Sequence, residues 1–274
     1  MSGQSDIMAR LGALGMVDDG ALDLAETALL LAALDHPDVA LDSYRQHLGG
    51  LGREVTGEAK GNSLADRIKG LAAVMVGHHA YQGDRKTYDD PDNANLIRVI
   101  DRKKGLPVAL GILYIHAARA CGCKADGLNV PAHFLIRISD GSEDVALDPF
   151  NGGRVVGPAE IGKLLGIPGG DGPSPKDFGA MANREILLRL QNNLKARALQ
   201  VKDVERAVAV LRSMIAFSPA SVGLWWEAAT HLMTLGQPTA ATELLYECLA
   251  HPAMNGEAPP AIMELLAGVK RKLN

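Results

Sequence analysis

The strongest constraint on this chain lies between residues 93 and 153. The stretch opens NANLIRVIDRKKGLPVALGILYIHAARACGCKADGLNVPAHFLIRI and closes on VALDPFNGG. Leu96, Ile97, Val99 and Ile100 supply the buried side of a short helix, with Asp92 or Asn93 as its cap and Gly105 as its stop. Pro107 then restarts a helix in its first turn, where the missing amide costs least. From Val108 to about Ala120 that helix is apolar on every side, which makes it a central element enclosed by other structure. HFLIRI and EDVALDPF are strand-like, and the short ISDGSED between them predicts an antiparallel hairpin. Adjacent strands would bring His133 and Asp148 into one neighbourhood.

The flanking sequence adds helices on both sides. Residues 1–20 have mixed patterning and read as a frayed lead-in. The run ALDLAETALLLAALDHP predicts a helix ending near Pro37, and a second helix from Pro37 carries Leu41, Tyr44 and Leu48 before Gly49 and Gly50 stop it. A third starts at Ser63 as cap, with Leu64, Ile68, Leu71, Ala72 and Met75 on its apolar side. Gly166–Pro175, GIPGGDGPSP, is too densely punctuated for a regular element and marks a boundary. Beyond it Ala207, Leu211 and Pro219 recur as Ala240, Leu244 and Pro252, a spacing close to the roughly 34 residues of a tetratricopeptide unit. The fold expected is α+β, a mainly helical region with a small antiparallel sheet followed by α/α repeats. Its expected divisions are 1–165, a linker at 166–180, and 181–274.

Composition narrows the function classes. With 47% apolar and 22% charged residues and a formal charge of -4, the chain is globular and carries no general basic surface for nucleic acid or anionic lipid. The apolar run Leu29–Leu34 is far shorter than the roughly 20 residues that cross a bilayer. Cys121, Cys123 and Cys248 form no disulfide framework, which suits a reducing compartment and a cytoplasmic location. No metal site and no cofactor is expected; Cys121 and Cys123 are spaced C-x-C and have no second pair.

A cysteine-dependent acyl-transfer site needs a thiolate at a helix start, a histidine to take its proton and a carboxylate or amide to orient that histidine. Here His133 and Asp148 supply the last two, while the first helical turn holds only Pro107, Val108, Ala109 and Leu110. Asn95 and Arg102, seven apart, are candidate cleft-lining residues together with Pro107 and Asn129. His116, inside the apolar helix, reads more simply as a satisfied structural histidine. His133 and Asp148 also admit a plain reading as a polar pair that pins the hairpin.

YDDPDNANLIRVIDRKKGLPVALGILY, then GLNVPAHFLIRI and DPFNGG, resembles the bacterial proteins described as regulators of sirC expression, with transglutaminase-like and tetratricopeptide-like domains. The resemblance runs from about Leu22 through Pro252. It implies a transglutaminase-like core in which His133 matches the catalytic histidine and Asp148 the aspartate. The cysteine position falls at Pro107–Val108 and holds no nucleophile. The family's usual Pro-Gly before the histidine is Pro131-Ala132 here, which reduces backbone freedom beside His133. The function expected is a non-catalytic regulatory protein that binds a protein or peptide on a degenerate site. The alternative is a cysteine-independent hydrolase or acyltransferase with His133 as general base.

Overall fold

The structure, a computed structural model, describes residues 3–131, 133–167 and 172–273. Its helices are α1 (Gly3–Gly15), α2 (Leu24–Ala33), α3 (Asp42–Glu58), α4 (Leu64–Ala72), α5 (Leu96–Arg102), α6 (Pro107–Ala120), α7 (Pro158–Leu164), α8 (Asn183–Gln200), α9 (Val204–Phe217), α10 (Val222–Thr234), α11 (Pro238–Ala250) and α12 (Pro260–Leu273). The strands are β1 (Gln82–Gly83), β2 (Lys104–Gly105), β3 (Lys124–Val130), β4 (His133–Ser139), β5 (Asp144–Asp148), β6 (Arg154–Val156) and β7 (Ala180–Met181). The fold is thus mostly helical with one five-stranded antiparallel sheet in the order β6-β5-β4-β3-β7. A two-residue parallel pair, β1 with β2, stands apart from it.

Two compact units emerge, Asp23–Leu190 and Met1–Leu22 with Gln191–Asn274. In the first, α6 is the central helix, and ten of its residues from Val108 to Ala118 are buried. It lies so close to β4 that a methyl group on Gly111 would fall 2.3 Å from the Phe134 ring. The opposite sheet face buries Leu128, Val130, Leu135, Ala146 and Val156 against Ile161 of α7. Ser63 caps α4, its Oγ accepting from Asp66 N at 3.1 Å, as the sequence predicts. The β4–β5 hairpin closes through Asp140, whose Oδ1 accepts from Ser142 N and Glu143 N.

Several elements differ from the expectation. α3 begins five residues after Pro37 and passes through Gly49 and Gly50 to Glu58. Its Gly52 is what the close approach to α6 requires, since a methyl there would meet Ala120 Cβ at 2.3 Å. The cap of α5 is Asn95, which accepts from Arg98 N at 3.2 Å, rather than Asp92 or Asn93. The first residues are no frayed lead-in: α1 buries Ile7 and Leu11 in the second unit and packs on α9. The sequence pattern does not predict β1, β2, β3, β6 or β7. The expected linker 166–180 falls within Asp23–Leu190, and its residues 168–171 lie outside the described residues, as does Ala132.

The second unit is helical throughout. α9, α10, α11 and α12 pack each on the next, and α10 anchors its own start through Trp225 Nε1, which donates to Pro219 O at 2.8 Å. No described helix is long and apolar enough to cross a membrane.

Candidate functional site

Four separate segments meet at one cleft of about 270 Å³, lined by Tyr88, Pro107, His133, Phe134, Leu135, Asp148, Phe150 and Asn151. Pro107 arrives at the start of α6 because a proline there is preorganised for the first turn. His133 opens β4 and is exposed; Asp148 closes β5 with 13% of its side chain exposed. Ile136 pairs with Leu147. Continuing that register sets Leu135 opposite Asp148, with His133 two positions along the same sheet face. Pro107, His133 and Asp148 therefore share a cleft.

The carboxylate of Asp148 is engaged locally. Its Oδ1 accepts from Asn151 N at 3.2 Å and its Oδ2 from Asn151 Nδ2 at 2.5 Å, while Arg154 Nη2 stands 3.6 Å away. Among the described residues, no hydrogen bond or ion pair joins it to the His133 imidazole. The start of β4 is held from α8 instead, where Arg189 donates to His133 O at 2.6 Å and lies 5.4 Å over the Phe134 ring.

Asn95 and Arg102 do not line this cleft. Asn95 is buried, with its Oδ1 on the cap and its Nδ2 donating to Ala32 O at 3.1 Å. The rule that residues seven apart share a helix face fails because Asn95 precedes the helix rather than lying in it. Arg102 is committed to Asp84 at 3.2 Å and Asp90 at 3.3 Å. Asn129 is an exposed residue of β3 whose partner in the ladder is Phe134, and it is not a lining residue. His116 pairs with Leu48 O at 3.1 Å, the structural role read from its position.

No thiol stands at the start of α6. Cys121 lies fourteen residues from Pro107, about 21 Å of helix, at the far end. Its thiol donates to Ala118 O at 3.2 Å, and burial beside Cys123 pushes its pKa up to about 11. Cys248 is buried in α11, and burial raises it likewise to about 11. Among the described residues, no three His, Cys, Asp or Glu side chains are grouped so as to hold a metal ion.

The sequence pattern of the transglutaminase-like superfamily matches residues 42–192, which includes every residue of the cleft. The chain belongs to the transglutaminase-like superfamily. A Xylella fastidiosa relative called UPF0162 protein is 31% identical over 187 residues, 66% of either chain, so this transglutaminase-like chain spans just under two thirds of that relative's length. A Vibrio cholerae UPF0162 protein is 29% identical over 137 residues, 49% of this chain and 51% of that one. Human F-box only protein 21 is 34% identical over 78 residues, 28% of this chain and 12% of its own length. No solved structure matches. Within the transglutaminase-like frame, the attacking cysteine is missing from the helix start, and Pro107 and Val108 occupy its place.

Sequence reasoning missed the aromatic walls of the cleft. Tyr88 meets Phe150 edge-on at 5.9 Å, and Phe150 with Asn151 belongs to the short turn Pro149–Asn151. In sequence Phe150 and Asn151 show only as DPFN directly after a strand, and Tyr88 only as the first residue of YDDPDN.

Proposed function

We propose that this chain is a cytoplasmic, non-catalytic regulatory protein whose cleft receives a segment of a protein or peptide partner. His133 and Asp148 are its degenerate site, and α8–α12 form a tetratricopeptide-like platform. One observation carries the reading: histidine, aspartate and aromatic walls surround an open cleft in which a proline ring takes the place of the nucleophile. A chain lying there would be gripped but not attacked. The resemblance to sirC regulators, with their two domain types, supports the regulatory role.

The general-base alternative is weaker on the same geometry. Both Asp148 oxygens face Asn151 rather than the imidazole, so His133 lacks the carboxylate that would orient it.

Selection of a displayed random-peptide library on the immobilised full chain tests the proposal. Enriched peptides should bind about tenfold more weakly to Phe150→Ala, the scale of losing one aromatic contact in an interface. Equal binding to Phe150→Ala and His133→Ala would place the interaction elsewhere. Cleavage or deamidation of the bound peptides, read by mass, would instead favour the hydrolase.

A further inference from the structure

Phe150 is a wall with two sides. On one side lies the His133 cleft; on the other is a recess of about 440 Å³ lined by Gln82, Gly83, Asp84, Arg85, Lys86, Lys104, Phe150, Asn151 and Gly152. Phe150 and Asn151 belong to both. The ring is fixed from both directions, with the Arg85 guanidinium 5.3 Å above it in the recess and Tyr88 against its edge in the cleft. A methyl group on Gly83 would fall 2.4 Å from that ring, so the wall is also backed closely by β1.

The charge in the recess is positive and available. Asp84 is its one acid, and it is already consumed. It is buried, pairs with Arg102 at 3.2 Å, and accepts from Lys86 N, Thr87 N and Thr87 Oγ1. That carboxylate turn displays the next two residues, Arg85 and Lys86, outward, while β2 brings Lys104 alongside. Three cations thus face an open recess whose single carboxylate has its own arginine. A hydrogen-bonded chain runs from the recess into the cleft: Arg85 Nη2 donates to Asn151 Oδ1, and Asn151 Nδ2 donates to Asp148 Oδ2.

We infer that this recess is an anion subsite for an acidic side chain, Asp or Glu, of the same peptide whose neighbouring apolar residue enters the His133 cleft. The inference rests on the proposed peptide-binding function and specifies its partner. Charge complementarity selects the occupant, because an acidic residue gains three cations without having to displace an ion pair. The shared wall at Phe150 makes the two subsites adjacent, within reach of residues close together in an extended chain. An acidic side chain that engages Arg85 competes with Asn151 for the guanidinium, which links occupancy of the recess to the hold on Asp148.

A positional-scanning library of acetylated, amidated hexapeptides, in which only side chains carry charge, tests this on the full chain by fluorescence polarisation. Mixtures with a fixed Asp or Glu should bind best, and their advantage should shrink in high salt. Lys86→Glu with Lys104→Glu should weaken acidic mixtures about tenfold and turn the preference toward Lys mixtures. Lys86→Gln alone should give a smaller loss in the same direction, and circular dichroism checks that each variant is folded. If mixtures bind and are sensitive to Phe150→Ala but show no acidic preference, the peptide-binding reading stands and the subsite is overturned. If no mixture binds, both fail. If the bound mixtures show no acidic preference while inorganic phosphate binds the full chain by calorimetry and loses that binding in Lys86→Glu with Lys104→Glu, the occupant is a free anion and the peptide subsite is overturned.

Discussion

At the scale of single residues, the informative position is Pro107. It stands at the positive end of a fourteen-residue helix, in the cleft that also holds His133. Both the helix end and an imidazolium stabilise a thiolate. Pro107→Cys should therefore gain a thiol that iodoacetamide alkylates at neutral pH about tenfold faster than an ordinary exposed cysteine. Cys121 and Cys248 add little background, since burial pushes both up to about 11. A reactivity profile for the new thiol that matches free cysteine would mean that the cleft no longer supports thiolate chemistry. The meeting of Pro107, His133 and Asp148 was legible in sequence because each sits at the end of a strongly patterned element. Asn95 and Arg102 were misread for a local reason: a capping asparagine and a salt-bridged arginine look in sequence like cleft residues, and only tertiary partners tell them apart.

At the scale of elements, glycine carried more than one message. Local propensity predicts a stop at Gly49 and Gly50 of α3, because glycine weakens a helix by about 0.5–1 kcal/mol relative to alanine. Packing against α6 overrides that local preference, and the helix continues to Glu58. Gly52 is needed for the crossing, with Ala120 Cβ only 2.3 Å from where its own methyl would stand. Gly57, in the same helix, has nothing within 4 Å of that position. Gly52→Ala should destabilise by about 1–3 kcal/mol through overpacking. Gly57→Ala should be neutral or stabilise by about 0.5–1 kcal/mol. Urea unfolding of the two variants checks this; equal effects would mean that the α3–α6 crossing is looser than its geometry implies.

At the scale of the whole molecule, the glycine- and proline-rich stretch after Leu165 was the most visible punctuation, yet the compact unit continues to Leu190. Such punctuation marks no division between packed units here, because the division falls inside α8, where an uninterrupted helix leaves no turn signal. Residues 180–190 complete the sheet and its support. Ala180 and Met181 pair with Leu128 and Gly127, and Asn183 Oδ1 accepts from Arg119 at 2.9 Å. Ile186, Leu187 and Leu190 are buried, and Arg189 holds the start of β4 at His133. A chain of residues 23–165 would thus lose an edge strand, three buried side chains and the anchor behind the cleft, while 23–200 keeps them all. The longer piece should melt cooperatively, and the shorter should melt at a clearly lower temperature or aggregate through the uncovered β3 edge. Equal melting temperatures by circular dichroism would show that α8 contributes nothing to the transglutaminase-like unit. A cut after Leu165 removes the support that Arg189 gives His133 itself, so partner binding lost in that fragment would reflect a damaged cleft as readily as a missing helical platform.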